Sequence, residues 1–172
     1  GVGRLVDHAH RPPTEAAALP RRPEGATAGV IEGLYRWAVA PEGAAHSASV
    51  LFSGSANLAA QGAQAELAER YDVGVELWSA TSYNELRREA LSTERWNRLH
   101  PAEPRRTPYI LKALEGSNGP IIASSDYMKI VPDQLSPWLL GRLTSLGTGG
   151  FVRRENRDYP RKFFVISAEA LV

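Results

Sequence analysis

The chain has no cysteine. Disulfides, thiolate catalysis and cysteine-based metal sites are therefore all excluded. It is also short of lysine, which occurs only at Lys112, Lys129 and Lys162, so arginine supplies nearly all the positive charge. Arginine favours bidentate pairing with carboxylates and phosphates. Twenty basic residues stand against 19 acidic ones, a net charge of +1. That balance gives no bulk attraction to nucleic acid or to an anionic membrane surface, and neither is expected as a partner. No apolar run reaches membrane-spanning length, and the opening Gly1-Val2-Gly3-Arg4 is not a signal peptide. The expected location is the cytoplasm.

What is present is enough apolar sequence, 43% of 172 residues, to bury one core of ordinary domain size. Residues 1–28 hold Pro12, Pro13, Pro20 and Pro23 and read as a tail or interdomain linker, leaving 29–172 as the domain. Gly29 to Ala40 predicts a short helix running into an edge strand. Ser49-Val50-Leu51-Phe52 is a short apolar run of the kind buried on both faces of a parallel sheet. Ala56 to Arg70 predicts a helix with Ser55 as N-cap, followed by a strand over Val73 to Trp78. A helix over Tyr83 to Leu91 follows, with Ser82 as N-cap and Glu85 at capping-box spacing.

Beyond the proline- and arginine-rich loop 101–108, a short helix over Tyr109 to Glu115 ends at Gly116 and Asn118. Pro120 to Ser124 predicts a third core strand, Pro132 to Leu140 a helix, Arg142 to Leu146 a fourth strand, and Gly147 to Gly150 a loop. Alternating strands and helices joined by short connections imply an α/β fold with a largely parallel sheet between helix layers.

Five segments carry a family resemblance. They are WSATSYNELR (78–87), ERWNRLHP (94–101), TPYI (107–110), SDYMK (125–129) and LGTGGF (146–151). In this order and spacing, the chain resembles the carboxy-terminal domain of homodimer-type pyruvate dehydrogenase E1 components from about Pro23 to Ala170. The resemblance implies a transketolase carboxy-terminal-like fold, a three-layer α/β/α arrangement with a mixed, mostly parallel five-stranded sheet. It also implies a parent enzyme that decarboxylates a 2-oxo acid and passes a two-carbon acyl group to a lipoyl or carrier-protein acceptor. The thiamine diphosphate and magnesium of that enzyme would sit in other domains or subunits, which are then the expected partners. Gly149 stands where the family usually has Asp, Val152 to Tyr159 is more basic than expected, and Pro160 falls where a helix is usual. The chain is read as an assembly or dimerisation domain, either a natural split subunit or a piece of a longer protein. The runner-up is a free-standing module that binds a small anion or a protein.

Catalytic motifs are missing. There is no Gly-Asp-Gly of the kind that holds magnesium and diphosphate, no Walker loop, no dinucleotide fingerprint and no Gly-x-Ser-x-Gly elbow. No catalytic, cofactor-binding or metal-binding residue is therefore assigned, and the chain alone is not expected to turn over substrate. His100, Trp96, Arg106, Asp126 and Tyr127 are instead candidates for an interface or a site entrance. His100 follows Trp96 and Asn97 and precedes the proline-rich loop. Imidazole can move protons near neutral pH, but the plainer role is a hydrogen bond to loop backbone. Asp126 and Tyr127 come at the carboxyl edge of a predicted strand, where α/β sheets place ligands; the plainer role for Asp126 is to balance a helix dipole. Arg105-Arg106 and Arg153-Arg154 are solvated unless they meet acidic groups of a neighbouring subunit. Ser53-Gly54-Ser55 precedes a helix N-terminus that could hold an anion, though tight chain reversal explains it equally well, and Gly147 to Gly150 could cradle phosphate, a strand-end loop being the plainer reading. His8 and His10 lack a third metal ligand. Trp78, Trp96, Trp138 and Tyr109 are expected as core or interface anchors.

Overall fold

A computed structural model describes residues 23–149, apart from the side chains of Asp126 and Tyr127. The elements are α1 (Thr27–Glu32), β1 (Leu34–Ala38), β2 (His46–Phe52), α2 (Asn57–Tyr71), β3 (Val73–Ala80), α3 (Tyr83–Leu99), α4 (Tyr109–Ala113), β4 (Ile121–Met128), α5 (Ile130–Asp133) and β5 (Leu143–Thr148). The five strands form one sheet in the order β1-β3-β2-β4-β5. Strand β1 runs antiparallel to β3, while β2, β3, β4 and β5 are mutually parallel. The expected mixed, mostly parallel five-stranded sheet is what the chain forms.

Strand β2 lies in the centre because its residues are apolar on both faces. Val50 and Phe52 point to one side with Val75 and Leu77, where α2 covers them with Ala60, Ala63 and Leu67. The spacing of these three gives α2 one narrow apolar stripe, and the two alanines let it approach the sheet closely. Gln64, also on α2, donates to the carbonyls of Val39 (3.0 Å) and Val75 (2.7 Å). It thereby ties the helix to the exit of β1 and to β3. Leu51 points to the other side with Leu34, Trp78, Ile121 and Ala123, and is covered by Leu86, Ala90, Ile110, Leu135 and Trp138. Helices thus flank both faces of the sheet.

Two glycines permit close approaches that no other residue could make. Gly33 closes α1 in the left-handed region at φ +99°, and a Cβ there would lie 2.5 Å from the carbonyl oxygen of Ser82. Its own carbonyl accepts from Thr81 and Ser82 at 2.9 and 3.1 Å, joining the start of β1 to the entrance of α3. At Gly119 a Cβ would sit 1.7 Å from the carbonyl oxygen of Ser47. Arg142 completes this corner by donating from Nε to the Gly119 carbonyl at 2.9 Å, with a further bond to Ser117.

Several sequence expectations are corrected. Helix α3 runs on to Leu99 instead of ending at Leu91, because Thr93 continues the buried stripe of Tyr83, Leu86 and Ala90. Ser55 does not cap α2; it lies inside a 3-10 turn, Gly54–Ala56, that precedes the helix. Asp126 does not sit at a helix N-terminus, since β4 continues through it to Met128. Residues 132–140 do not form one helix. The helix α5 ends at Asp133, and tight turns follow to Leu140, where φ is +51°. Gly147 and Thr148 belong to β5 and are not loop. Ser82 does cap α3, its hydroxyl accepting from the Glu85 amide at 3.1 Å. His8, His10, Arg153-Arg154 and the end of the chain lie outside the described residues.

Candidate functional site

Helix α3 leaves the sheet carrying Trp96 and His100 four residues apart, so their rings fall on one side of its last turn. They stack at 4.5 Å between centroids with 12° between planes. The Arg106 guanidinium carbon lies 3.6 Å from the centroid of the same indole. Two groups this close cannot share one face of the ring, so Trp96 is held between a guanidinium and an imidazole. Three of the five candidate residues therefore meet in one cluster.

Backbone and side-chain bonds fix the cluster. Asn97 accepts from the Arg106 amide at 2.8 Å and donates to its carbonyl at 2.9 Å, a two-way clasp that closes the loop 100–108. His100 Nδ1 is 2.9 Å from the Trp96 carbonyl oxygen. A carbonyl can only accept, so Nδ1 carries the proton and the neutral ring has its lone pair at Nε2. The far end of the loop is pinned by Glu89, whose carboxylate accepts from the Tyr109 amide and the Thr93 hydroxyl, each at 2.8 Å. Tyr109 then donates its hydroxyl to the Leu34 carbonyl at 2.8 Å. Burial, with the nearby charge of Glu32 adding to it, raises the Tyr109 phenol above its ordinary value and keeps it a donor.

Trp96, His100 and Arg106 thus make an ordered patch at the end of α3 that includes exposed side chains. Among the described residues the one side-chain hydrogen bond of His100 is to the Trp96 carbonyl, and no carboxylate bonds it. No group of three His, Asp or Glu side chains able to hold a metal occurs among the described residues. Two surface grooves flank the helices. One, of about 440 Å³, is lined by Pro23, Arg36, Trp78 and Tyr109; the other, of about 590 Å³, by Arg87, Leu91, Glu94 and Trp138. Neither is lined by any of the five candidates.

Asp126 and Tyr127 are placed by their backbone alone, on β4 where its register with β5 shifts between Ser124 and Met128. Their side chains lie outside the described residues. In Ser53-Gly54-Ser55, Ser53 is buried with its hydroxyl unpartnered among the described residues, and Gly54 and Ser55 lie in the 3-10 turn before α2. Trp78 and Trp138 are buried core anchors, the second donating from Nε1 to Glu94 at 2.7 Å. Sequence reasoning passed over Asn97 and Glu89. An Asn in the last turn of a helix before a proline-rich loop is the signal for the first. Nothing local announces the second, because its partner is 20 residues away.

A segment of the Mycobacterium tuberculosis "Pyruvate dehydrogenase E1 component" is 41% identical over 144 residues, 84% of this chain and 16% of that protein. The proteins of the same name from Pseudomonas aeruginosa and Escherichia coli K12 are 38% and 37% identical over 89% and 90% of this chain. The chain thus spans about a sixth of the length of these curated relatives, 16% to 18%. Among solved structures, transketolase from Leishmania mexicana superposes over 84% of this chain with a TM-score of 0.51 at 18% identity, covering 18% of that protein. A "Split gene transketolase, inactive beta4 tetramer" superposes over 83% of this chain with a TM-score of 0.53 at 11% identity, covering 40% of that chain. No family model matches the chain.

Proposed function

Because this chain is a homologue of one segment of the pyruvate dehydrogenase E1 component, with a transketolase-type α/β fold, we propose that it is an assembly or dimerisation domain, or a split subunit, of such an enzyme. Its body is residues 29–172, with 1–28 as a connector. The observation that carries the reading is 37% to 41% identity over 84% to 90% of the chain to a segment of three E1 components.

In the assembled enzyme, thiamine diphosphate and magnesium supply the chemistry that decarboxylates a 2-oxo acid, and a lipoyl group or carrier protein takes the acyl product. Magnesium requires several oxygen ligands converging in near-octahedral geometry. The described residues do not fit that group, having no cluster of three acidic or histidine side chains. In this reading the cofactor is held by partner domains or subunits, and no step of the reaction is assigned to this chain. What this chain supplies is a braced surface, the stack on α3 and the loop it fixes. A cytoplasmic location goes with this reading; no described helix is long and apolar enough to cross a membrane.

The test is complementation. Mixing the 172-residue chain with an E1 protein lacking the matching segment is expected to restore pyruvate decarboxylation, while neither part alone is active. Full activity without this chain would sink the proposal. A chain that remains monomeric on size exclusion, restores nothing and binds inorganic phosphate would favour the free-standing anion-binding module.

A further inference from the structure

The carboxylates of α3 are all engaged. Glu85 pairs with Arg88, and Glu89 is occupied by the Tyr109 amide and the Thr93 hydroxyl. Glu94 accepts from Trp138 at 2.7 Å, leaving only a 3.8 Å approach from Arg98. No carboxylate among the described residues pairs with Arg95, Arg105 or Arg106. All three are exposed, and the one further acid of this surface, Glu103, is unpaired as well. Leu99 is 63% exposed, one helical turn beyond Arg95 and next to Arg98. Arginine surplus around an exposed aliphatic side chain is a combination suited to recognition, since guanidinium forks match carboxylates and the apolar centre excludes water.

From this we infer that the last turn of α3 and the loop 100–108 form a docking surface for an acidic, leucine-bearing segment of another protein. Part of this surface is already ordered: Asn97 clasps the Arg106 backbone, and the indole of Trp96 fixes its guanidinium. Binding therefore costs little further ordering of Arg106. A nucleic acid is the poorer fit. Base recognition on a single strand uses an open aromatic face, and both faces of Trp96 are covered. The net charge of +1 adds no general pull towards polyanions.

The inference goes beyond the E1 reading, and its test is separate. The ¹⁵N-labelled 172-residue chain is titrated with acetyl-Glu-Glu-Leu-Glu-Glu-Leu-Glu-Glu-amide, its all-Gln counterpart and a 20-mer of thymidine. Amide shifts confined to residues 95–106, caused by the Glu peptide and not by the Gln peptide, are the expected result. Arg95→Glu and Arg105→Glu should each weaken binding on the order of five-fold, and 0.5 M salt should weaken it further. Arg95→Gln and Arg105→Gln, with smaller losses, replace these variants if either fails to give the parent spectrum away from the patch. Shifts elsewhere, equal binding of the Gln peptide, tighter binding of the thymidine 20-mer, or no shift at millimolar Glu peptide would each overturn the inference. A chain that binds the peptide but restores no decarboxylation loses the E1 reading alone. One that restores activity yet ignores the peptide loses this inference alone.

Discussion

Replacing Tyr83 by Phe removes one oxygen from the first turn of α3, at a residue only 4% exposed. The ring packs in the core with Leu34, Leu51, Trp78 and Leu86, and the hydroxyl has no hydrogen-bond partner among the described residues. A buried hydroxyl left unpaired costs about 1–3 kcal/mol. Phe recovers most of that and gives back a little in lost contacts, so Y83F should be more stable by about 1 kcal/mol. For a chain of this size that raises the melting temperature by about 2–4 °C. The same burial pushes the phenol far above its ordinary value. A raised folded-state pKa contributes stability that is complete below the unfolded value, near 10, and is lost as pH rises beyond it. At pH 10.5 the wild type should have lost about 1 kcal/mol more than the variant, widening the gap to about 2 kcal/mol. Urea denaturation followed by circular dichroism at pH 7.5 and 10.5 measures both gaps. A variant less stable than wild type at pH 7.5, or a gap that does not widen, would refute the reasoning.

Asn97→Ala breaks both bonds of the loop clasp and should cost about 1–2 kcal/mol, with faster hydrogen exchange at the Arg106 amide as the local sign. Gly119→Ala places a methyl 1.7 Å from the Ser47 carbonyl and should cost more than about 3 kcal/mol or abolish folding, seen as loss of the cooperative melt. Trp138→Phe leaves the Glu94 carboxylate without its indole donor and should cost about 1–3 kcal/mol by denaturant titration.

The sheet was legible where burial is two-sided, as in Ser49 to Phe52, because an apolar run needs no periodicity to declare itself. Helix α3 was under-read. Residues 92–99 are mostly polar, and their helical signature is the Glu94–Arg98 spacing more than any apolar stripe. Residues 132–140 were over-read for the opposite reason. Leu135, Trp138 and Leu139 are buried, but Pro137 and the left-handed Leu140 bring them to the core through turns. At the candidate site the Trp96 and His100 pair follows from helix spacing. The arrival of Arg106 over the indole depends on the path of a loop, which no local pattern encodes. The family resemblance, resting on the order of five segments, was readable because it did not depend on any one of them.

The central position of β2 has a consequence for how the chain acquires its structure. Residues 49–52 pair with β3 through the nearby α2, but their other edge waits for 121–124. During synthesis β2, α2 and β3 can assemble first, and one apolar strand edge then stays open until α3, α4 and β4 have followed. An open edge of this composition is a template for pairing with the same strand of another molecule. Destabilising the 109–121 connection should therefore show itself as aggregation during refolding before any loss in the stability of the finished domain.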